Sequence, residues 1–427
     1  MFEITGLRQG LGVMEQSNVP AIVFGGGLTG LGLVRGLGKE GIDVYGVVDS
    51  GDPLISSKYC RKRFIMSDCT QKIDLLRSAL QWFRREIGSR AVVFSTDDAG
   101  TLGLAHLQQE MSDAFSFVVP PEEVAQTLVD KSKFYASLEE SQIPYPRVLL
   151  PRSDHDAKLA TRELGLPLYI RPMLSQHFFK EFRAKGFLAA SESEAERYYR
   201  VARRRRVDVF FQEIILGPDT NMYGIAGVVN KASEPIALFA YHRLRGWPPF
   251  LGNSSLMESV SLAGVTGLRD TITRYVNLIR YRGIFDAEFK LDPRDGRHKL
   301  LEINARPWWQ NAFATRCGLN IPLIAYLESA GFGAKPLQLY TAGVRWVNLL
   351  DDIRSSLTTG QIAKAGWLRS LVGVREYAYF DGDDPAPAAR YLMTLLDSLR
   401  FQRRTPGLRF ARNYARAFAG TARQSWA

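Results

Sequence analysis

Four polar residues near position 300 are spaced so that they could act together. Glu302, Asn304 and Arg306 alternate through "LLEINARPW", and Glu288 sits upstream in "FDAEFKLD". Side chains of a strand alternate between its faces, so residues two apart share one. A hairpin turned at "RDGR" would lay Glu288 across from the other three. Two carboxylates and an amide oxygen on one face make a site for a hard cation, suited to magnesium bridging nucleotide phosphates. An arginine one step further can stabilise charge on a transferring phosphoryl group. The competing account is a solvated sheet face carrying an Arg–Glu ion pair. The apolar residues around these positions weigh against it, because unpaired charge is costly there.

A second group lies near the start. "GGGLTGLG" places Gly25, Gly27 and Gly30 after an apolar strand and before a helix, a G-x-G-x-x-G turn that suits a dinucleotide pyrophosphate, with Asp49 placed to hold a ribose. Asp97 and Asp98 follow the strand "RAVVFS" and either recognise an ammonium group or cap the next helix. No Ser/His/Asp or Cys/His constellation stands out, and Cys60, Cys69 and Cys317 have no metal-ligand spacing.

These residues need elements to position them. "PAIVFGGG", "LTGLGLVRGLGKEG" and "IDVYGVVDS" read as strand, helix, strand, a βαβ unit of a parallel sheet, with further strands at "RAVVFSTDD" and "FSFVVPP". Residues 19–120 are therefore expected to form an open α/β domain. Helical spacing of Val124, Leu128, Tyr135 and Leu138 runs until "PYPRV". A small α+β lobe follows, then long antiparallel strands through "FFQEIIL" and "YGIAGVVNKASEPIALFAYHRLR", a helix, and the hairpin above.

In order and spacing, residues 19 to about 330 resemble the ATP-grasp superfamily. The resemblance implies an α/β and α+β architecture: a Rossmann-like pre-ATP-grasp domain (19–120), a linker helix and small lobe (121–205), a large lobe with the metal site (206–335), and a C-terminal extension with a basic tail (336–427). It implies that Glu288, Glu302 and Asn304 bind magnesium, two ions being expected, and that Arg306 contacts the reacting phosphate. "VDKSKFY" resembles the first nucleotide-contacting segment and assigns Lys131 to ATP phosphates. "LYIRPM" resembles the second, with Arg171 in place of the usual lysine, as in carbamoyl phosphate synthetases. "FFQEIILGPDT" resembles the hinge, giving Glu213 and the backbone around Ile215 to adenine and Asp219 to the ribose. The glycine-rich lid of many members is missing; Ser175, His177 and Lys185 are the lid candidates, Lys185 foremost. "HRLRGWPPF" and "FDGDDPAP" resemble the D-aspartate ligase branch of carboxylate–amine ligases. Arg243 and Arg245 would grip a substrate carboxylate or acyl phosphate, with a structural ion pair as the alternative for Arg245. Gly25, Gly27 and Asp97 would serve substrate.

The implied activity is amide formation through an acyl phosphate, from small-molecule carboxylate and amine substrates. Two other classes stay open: an NAD(P)-dependent oxidoreductase using the glycine turn, and a non-catalytic scaffold. Bulk properties fit a globular chain of 427 residues, 46% hydrophobic and 23% charged. No apolar run approaches the roughly 20 residues that span a bilayer, and no secretory leader is read, so a cytoplasmic location is expected. The net charge of +11 concentrates at Arg203–Arg206 and in the tail. It is read as solvated surface, with peripheral contact of the tail to anionic lipid or a partner as the alternative; no nucleic acid is expected, and the oligomeric state is not read from the sequence, the resemblance to often-dimeric ligases leaving a homodimer open.

Overall fold

The computed structural model describes residues 19–401 apart from 174, 183, 250–251 and 361–364. The tail expected to be basic and the side chains of Ser175 and His177 lie outside the described residues. Five parallel strands open the chain: β1 (Ala21–Phe24), β2 (Val44–Val48), β3 (Cys60–Ile65), β4 (Ala91–Ser95) and β5 (Phe115–Phe117), in the order β3-β2-β1-β4-β5. The central strands read as unbroken apolar runs because helices cover both faces, Gly27–Gly38 on one and Ile73–Ile87 on the other. The sequence reading missed β3. Its "CRKRFI" has the charged residues of an edge strand, which hide apolar periodicity and discourage pairing with another chain.

Four short strands form the small lobe: β6 (Val148–Leu149), β7 (Leu168–Pro172), β8 (Phe187–Ala189) and β9 (Val209–Glu213), ordered β6-β9-β7-β8. Leu168 and Ile170 pack with the helices Asp154–Leu164 and Glu192–Arg204 in one core. Alternation then sends Tyr169 and Arg171 to the other face. The expected boundary at 205/206 falls too early, because β9 pairs with β6 and β7 and completes this sheet.

Seven strands form the large lobe: β10 (Met222–Val229), β11 (Pro235–Trp247), β12 (Asn253–Val260), β13 (Gly283–Asp292), β14 (Arg297–Asn304), β15 (Arg345–Val347) and β16 (Val374–Tyr377), ordered β14-β13-β10-β11-β12-β15-β16. One face packs on the helices Thr266–Leu278 and Lys131–Glu140. The other face is apolar at Ala226, Val228 and Phe239, in the core shared with the first domain, and turns polar along Asp286, Glu288 and Glu302 where the cleft opens. The expected boundary at 335/336 does not end the lobe, since β15 and β16 extend its sheet. Among the described residues no helix is long and apolar enough to cross a membrane.

The "FDGDDPAP" loop folds back onto the first domain. Fully buried Asp384 accepts from Arg35 Nε (3.0 Å), Ser57 Oγ (2.7 Å) and Lys58 N (3.0 Å), and Lys39 Nζ bonds Asp381 at 2.6 Å. Removing one member strands the other charge without water. Asp384→Ala should cost about 3–5 kcal/mol in urea unfolding; a loss below about 1 kcal/mol would show that the loop does not brace the domain.

Candidate active site

A cleft of about 1340 Å³ runs between the two lobes and the carboxyl end of the first domain's sheet. Its floor is the hairpin of β13 and β14, where Glu288 pairs with Glu302 and Asp286 with Asn304, so all four side chains share the cleft face. Gly224 on β10 lies opposite both Glu288 and Tyr241. A Cβ there would come within 2.0 Å of the Tyr241 ring, so only glycine lets that ring lie across the strand. Tyr241 Oη reaches Asp286 Oδ1 at 2.7 Å, and Asn304 Nδ2 donates to Asp286 Oδ2 at 3.1 Å. Burial first, then the neighbouring Glu288, pushes the Asp286 carboxyl up to about 7.

Cations gather around the carboxylate pair. Arg171 Nη2 stands 3.0 Å and Lys131 Nζ 3.6 Å from Glu302 Oε2, and Arg243 Nη2 stands 3.7 Å from Glu288. Burial alone would raise the Glu302 carboxyl; Lys131 and Arg171 outweigh it and hold it well below the usual carboxylate range. Arg171 is steadied by Gln212 Oε1 (3.3 Å), whose Nε2 donates to Tyr135 Oη (2.7 Å). Lys185 extends from the small lobe to Asn253 Oδ1 on the large lobe at 2.6 Å, and enclosure by the cleft walls lowers its pKa. Arg306 donates to Asp98 Oδ1 at 2.7 Å and to Asn304 Oδ1 at 3.3 Å, tying the site to the first domain.

Not every expected residue joins this group. Arg245 does not: a register irregularity between Arg243 and Arg245 breaks their alternation, and Arg245 instead grips fully buried Asp352 at 2.7 and 2.9 Å, with Ser370 beside it. That is the structural ion pair left open above. Glu213 lines the cleft at the hinge with Ile214 and Ile215, but its carboxylate is taken by Arg147 (2.9 and 3.0 Å), Arg294 (3.0 Å) and Lys299 (3.5 Å). The Asp219 carboxylate accepts from Gly246 N at 2.9 Å and does not line the cleft.

At the glycine turn, Gly25 has φ +90°, and a Cβ there would sit 2.1 Å from Thr96 Oγ1. The helix N-terminus after it, where a dinucleotide pyrophosphate would sit, already holds a carboxylate: Asp52 accepts from Gly27 N at 2.7 Å and Leu54 N at 2.8 Å. This removes the structural ground for the oxidoreductase alternative. Asp97 caps its helix through Gly100 N (2.8 Å), bonds Thr70 (2.8 Å) and lines the cleft, while Asp98 serves Arg306.

The sequence reading missed Asp52, Tyr241, Asp286 and Lys290, all on the cleft wall. Asp286 and Lys290 carried a signal, since each lies two residues from Glu288 and so on its face. Tyr241 carried the same signal, two residues before Arg243 on its strand, whereas Asp52 carried none, because it acts across a turn on Gly27, distant in sequence. Among the described residues no three His, Cys, Asp or Glu side chains converge as a ready metal cage. The donors present are two facing carboxylates and an amide oxygen, which fit a magnesium ion that takes its remaining oxygens from phosphate and water.

No family model matches the chain. A D-aspartate ligase of Enterococcus faecium is 27% identical over 227 residues, 50% of this chain and 52% of that protein, so the chain spans about half the length of that curated relative. A biotin carboxylase from Campylobacter jejuni, solved as a complex with β,γ-ATP, superposes with TM-score 0.61 at 15% identity over 77% of this chain and 74% of that one. An L-amino acid ligase from Bacillus licheniformis superposes with TM-score 0.56 at 13% identity over 76% of each.

The hinge makes a pH prediction. Asp292 is fully buried; burial would raise its carboxyl, but Arg294 and Lys299 (2.5 Å) outweigh it and hold it below the usual range. A depressed folded pKa stabilises above the unfolded value of about 4 and is lost as pH falls through the folded one. Asp292→Asn should therefore cost about 3–5 kcal/mol at pH 7, with the gap to wild type closing below about pH 4 in denaturant titrations.

Proposed function

We propose, from the ATP-grasp fold this chain has, that it is an ATP-dependent carboxylate–amine ligase working through an acyl phosphate. The observation that carries this is the convergence of Lys131, Arg171, Lys185 and Arg243, from both lobes, on the facing carboxylates Glu288 and Glu302 in one cleft. A cationic ring around a carboxylate pair is complementary to a polyphosphate with its metal, and to little else of that size.

ATP lies with its base at the hinge backbone near Ile215 and its phosphates under Lys131, Arg171 and Lys185. These cations exchange their pairing with Glu302 for phosphate oxygens, leaving Glu288, Glu302 and Asn304 to hold metal. Magnesium, two ions in this reading, would be held by these three residues and would supply neutralisation of the phosphate charge. The substrate carboxylate, steered by Arg243, attacks the γ-phosphorus; a new O–P bond forms and ADP leaves with the electrons of the broken one. A neutral amine then attacks the acyl carbon; a C–N bond forms, the acyl C–O bond breaks, and phosphate departs with that bond's electrons and takes up the proton the nitrogen loses. Arg306, fixed by Asp98 and Asn304, stabilises the charge in transit. Positioning and neutralisation suffice, so no side-chain nucleophile is needed.

The first domain supplies the amine end. Its cleft wall carries Asp49, Asp52, Asp68, Asp97 and Asp98, suited to an ammonium group and disfavouring an anion there. Asp97 and Gly25 line this end and serve substrate in this reading, in a cytoplasmic enzyme of small molecules.

ADP release from magnesium-ATP, screened against pools of amino acids and other small carboxylates, tests the reaction. Glu302→Ala should lower ADP formation by about 100-fold or more while circular dichroism stays unchanged. Undiminished turnover in that variant, or no ATP binding by wild type, sinks the assignment.

A further inference from the structure

Lys290 is a buried charge that the reaction just described does not use. It lies two residues from Glu288 on β13, so it shares the cleft face, and it lines the cleft at 7% exposure. Among the described residues no hydrogen bond or ion pair engages its ammonium; Asp219 and Asp292 attract it only from beyond ion-pair reach, and Arg243 repels it. Lys299, its partner across the hairpin, is by contrast fully committed to Asp292 and Glu213. An enclosed ammonium with no partner among the described residues is costly, and this one lines the space a ligand would fill.

Its place along the strand says which part of a ligand it meets. One two-residue step is about 6.6 Å, and from Glu288 it leads toward Asp292 and the Glu213 hinge. A nucleotide stretched from hinge to metal carboxylates passes over this point with its ribose and α-phosphate. Both offer oxygen acceptors, and a lysine ammonium offers three donors on a flexible stem.

We propose that Lys290 is a nucleotide-binding residue, engaging an oxygen of the ribose–α-phosphate segment on the hinge side of the metal carboxylates. This rests on the ATP-binding reading above. The test is calorimetric titration of wild type, Lys290→Met and Lys290→Arg with magnesium-ADP, AMP and adenosine, alongside thermal unfolding without ligand. In Lys290→Met the ADP affinity should fall about 10-fold or more, as expected for one lost charge-assisted bond, and Lys290→Arg should recover part of it. The ligand-free midpoint of Lys290→Met should equal or exceed wild type, since the variant removes an unpaired buried charge. An equal loss for adenosine places the contact on the ribose; a loss for AMP and ADP alone places it on the α-phosphate; either supports the inference. ADP affinity within about twofold of wild type overturns it, as does a lowered ligand-free midpoint with ADP affinity unchanged, which would make Lys290 structural. Failure of wild type to bind ADP overturns the ATP-binding reading itself, and this inference with it.

Discussion

Two carboxylates, Glu288 and Glu302, stand directly opposite each other on neighbouring strands. Like charges in that position repel, and an enclosed cleft strengthens the repulsion. They are held there by cations brought from elsewhere: Lys131 from a helix, Arg171 from the small lobe, Arg243 from β11. The placement of the lobes follows from that need. The small lobe lies over the large one with Arg171 on Glu302, and Lys185 crosses to Asn253 beside it. In the proposed reaction, phosphate oxygens would replace carboxylate oxygens around these cations at little cost in hydrogen bonds.

The large sheet has one face doing two jobs. Where Ala226, Val228 and Phe239 meet the first domain it is core; one or two steps further along the strands it carries Asp286, Glu288 and Lys290. The change occurs around Gly224, whose missing Cβ lets Tyr241 lie flat and bond Asp286, closing the apolar part against the wet part. Asp286 in turn orients Asn304, and Asn304 and Asp98 together orient Arg306. A chain of hydrogen bonds, buried at Tyr241–Asp286 and partly buried beyond it, thus connects the core to Arg306.

Charge divides the cleft along its length. The lobes contribute Arg171, Lys185, Arg243 and Lys290, and the first domain contributes Asp49, Asp52, Asp97 and Asp98. In the proposed reaction a triphosphate and an ammonium would occupy separate ends. The C-terminal loop maintains this arrangement at a distance: Asp384 binds Ser57 and Lys58, just beyond the Asp52–Leu54 turn that holds Gly27.

The sequence by itself determined what depends on period and order. Alternation put Glu288, Glu302 and Asn304 on one face, apolar runs announced the parallel sheet, and the ordered motifs carried the resemblance to ATP-grasp ligases. Edge strand β3 escaped because its charges mask periodicity, and the boundary at 205/206 failed because strand pairing, not sequence proximity, assigns β9 to the small lobe. Tertiary structure alone decided the fate of individual charges. A register irregularity in β11 turned Arg245 to Asp352, three cations engaged the Glu213 carboxylate, Asp52 filled the helix end that the glycine turn offered to a dinucleotide, and Lys290 was left enclosed with no partner among the described residues. Which charges pair depends on distances of a few ångströms between segments far apart in the chain, and those distances exist only once the sheets have packed.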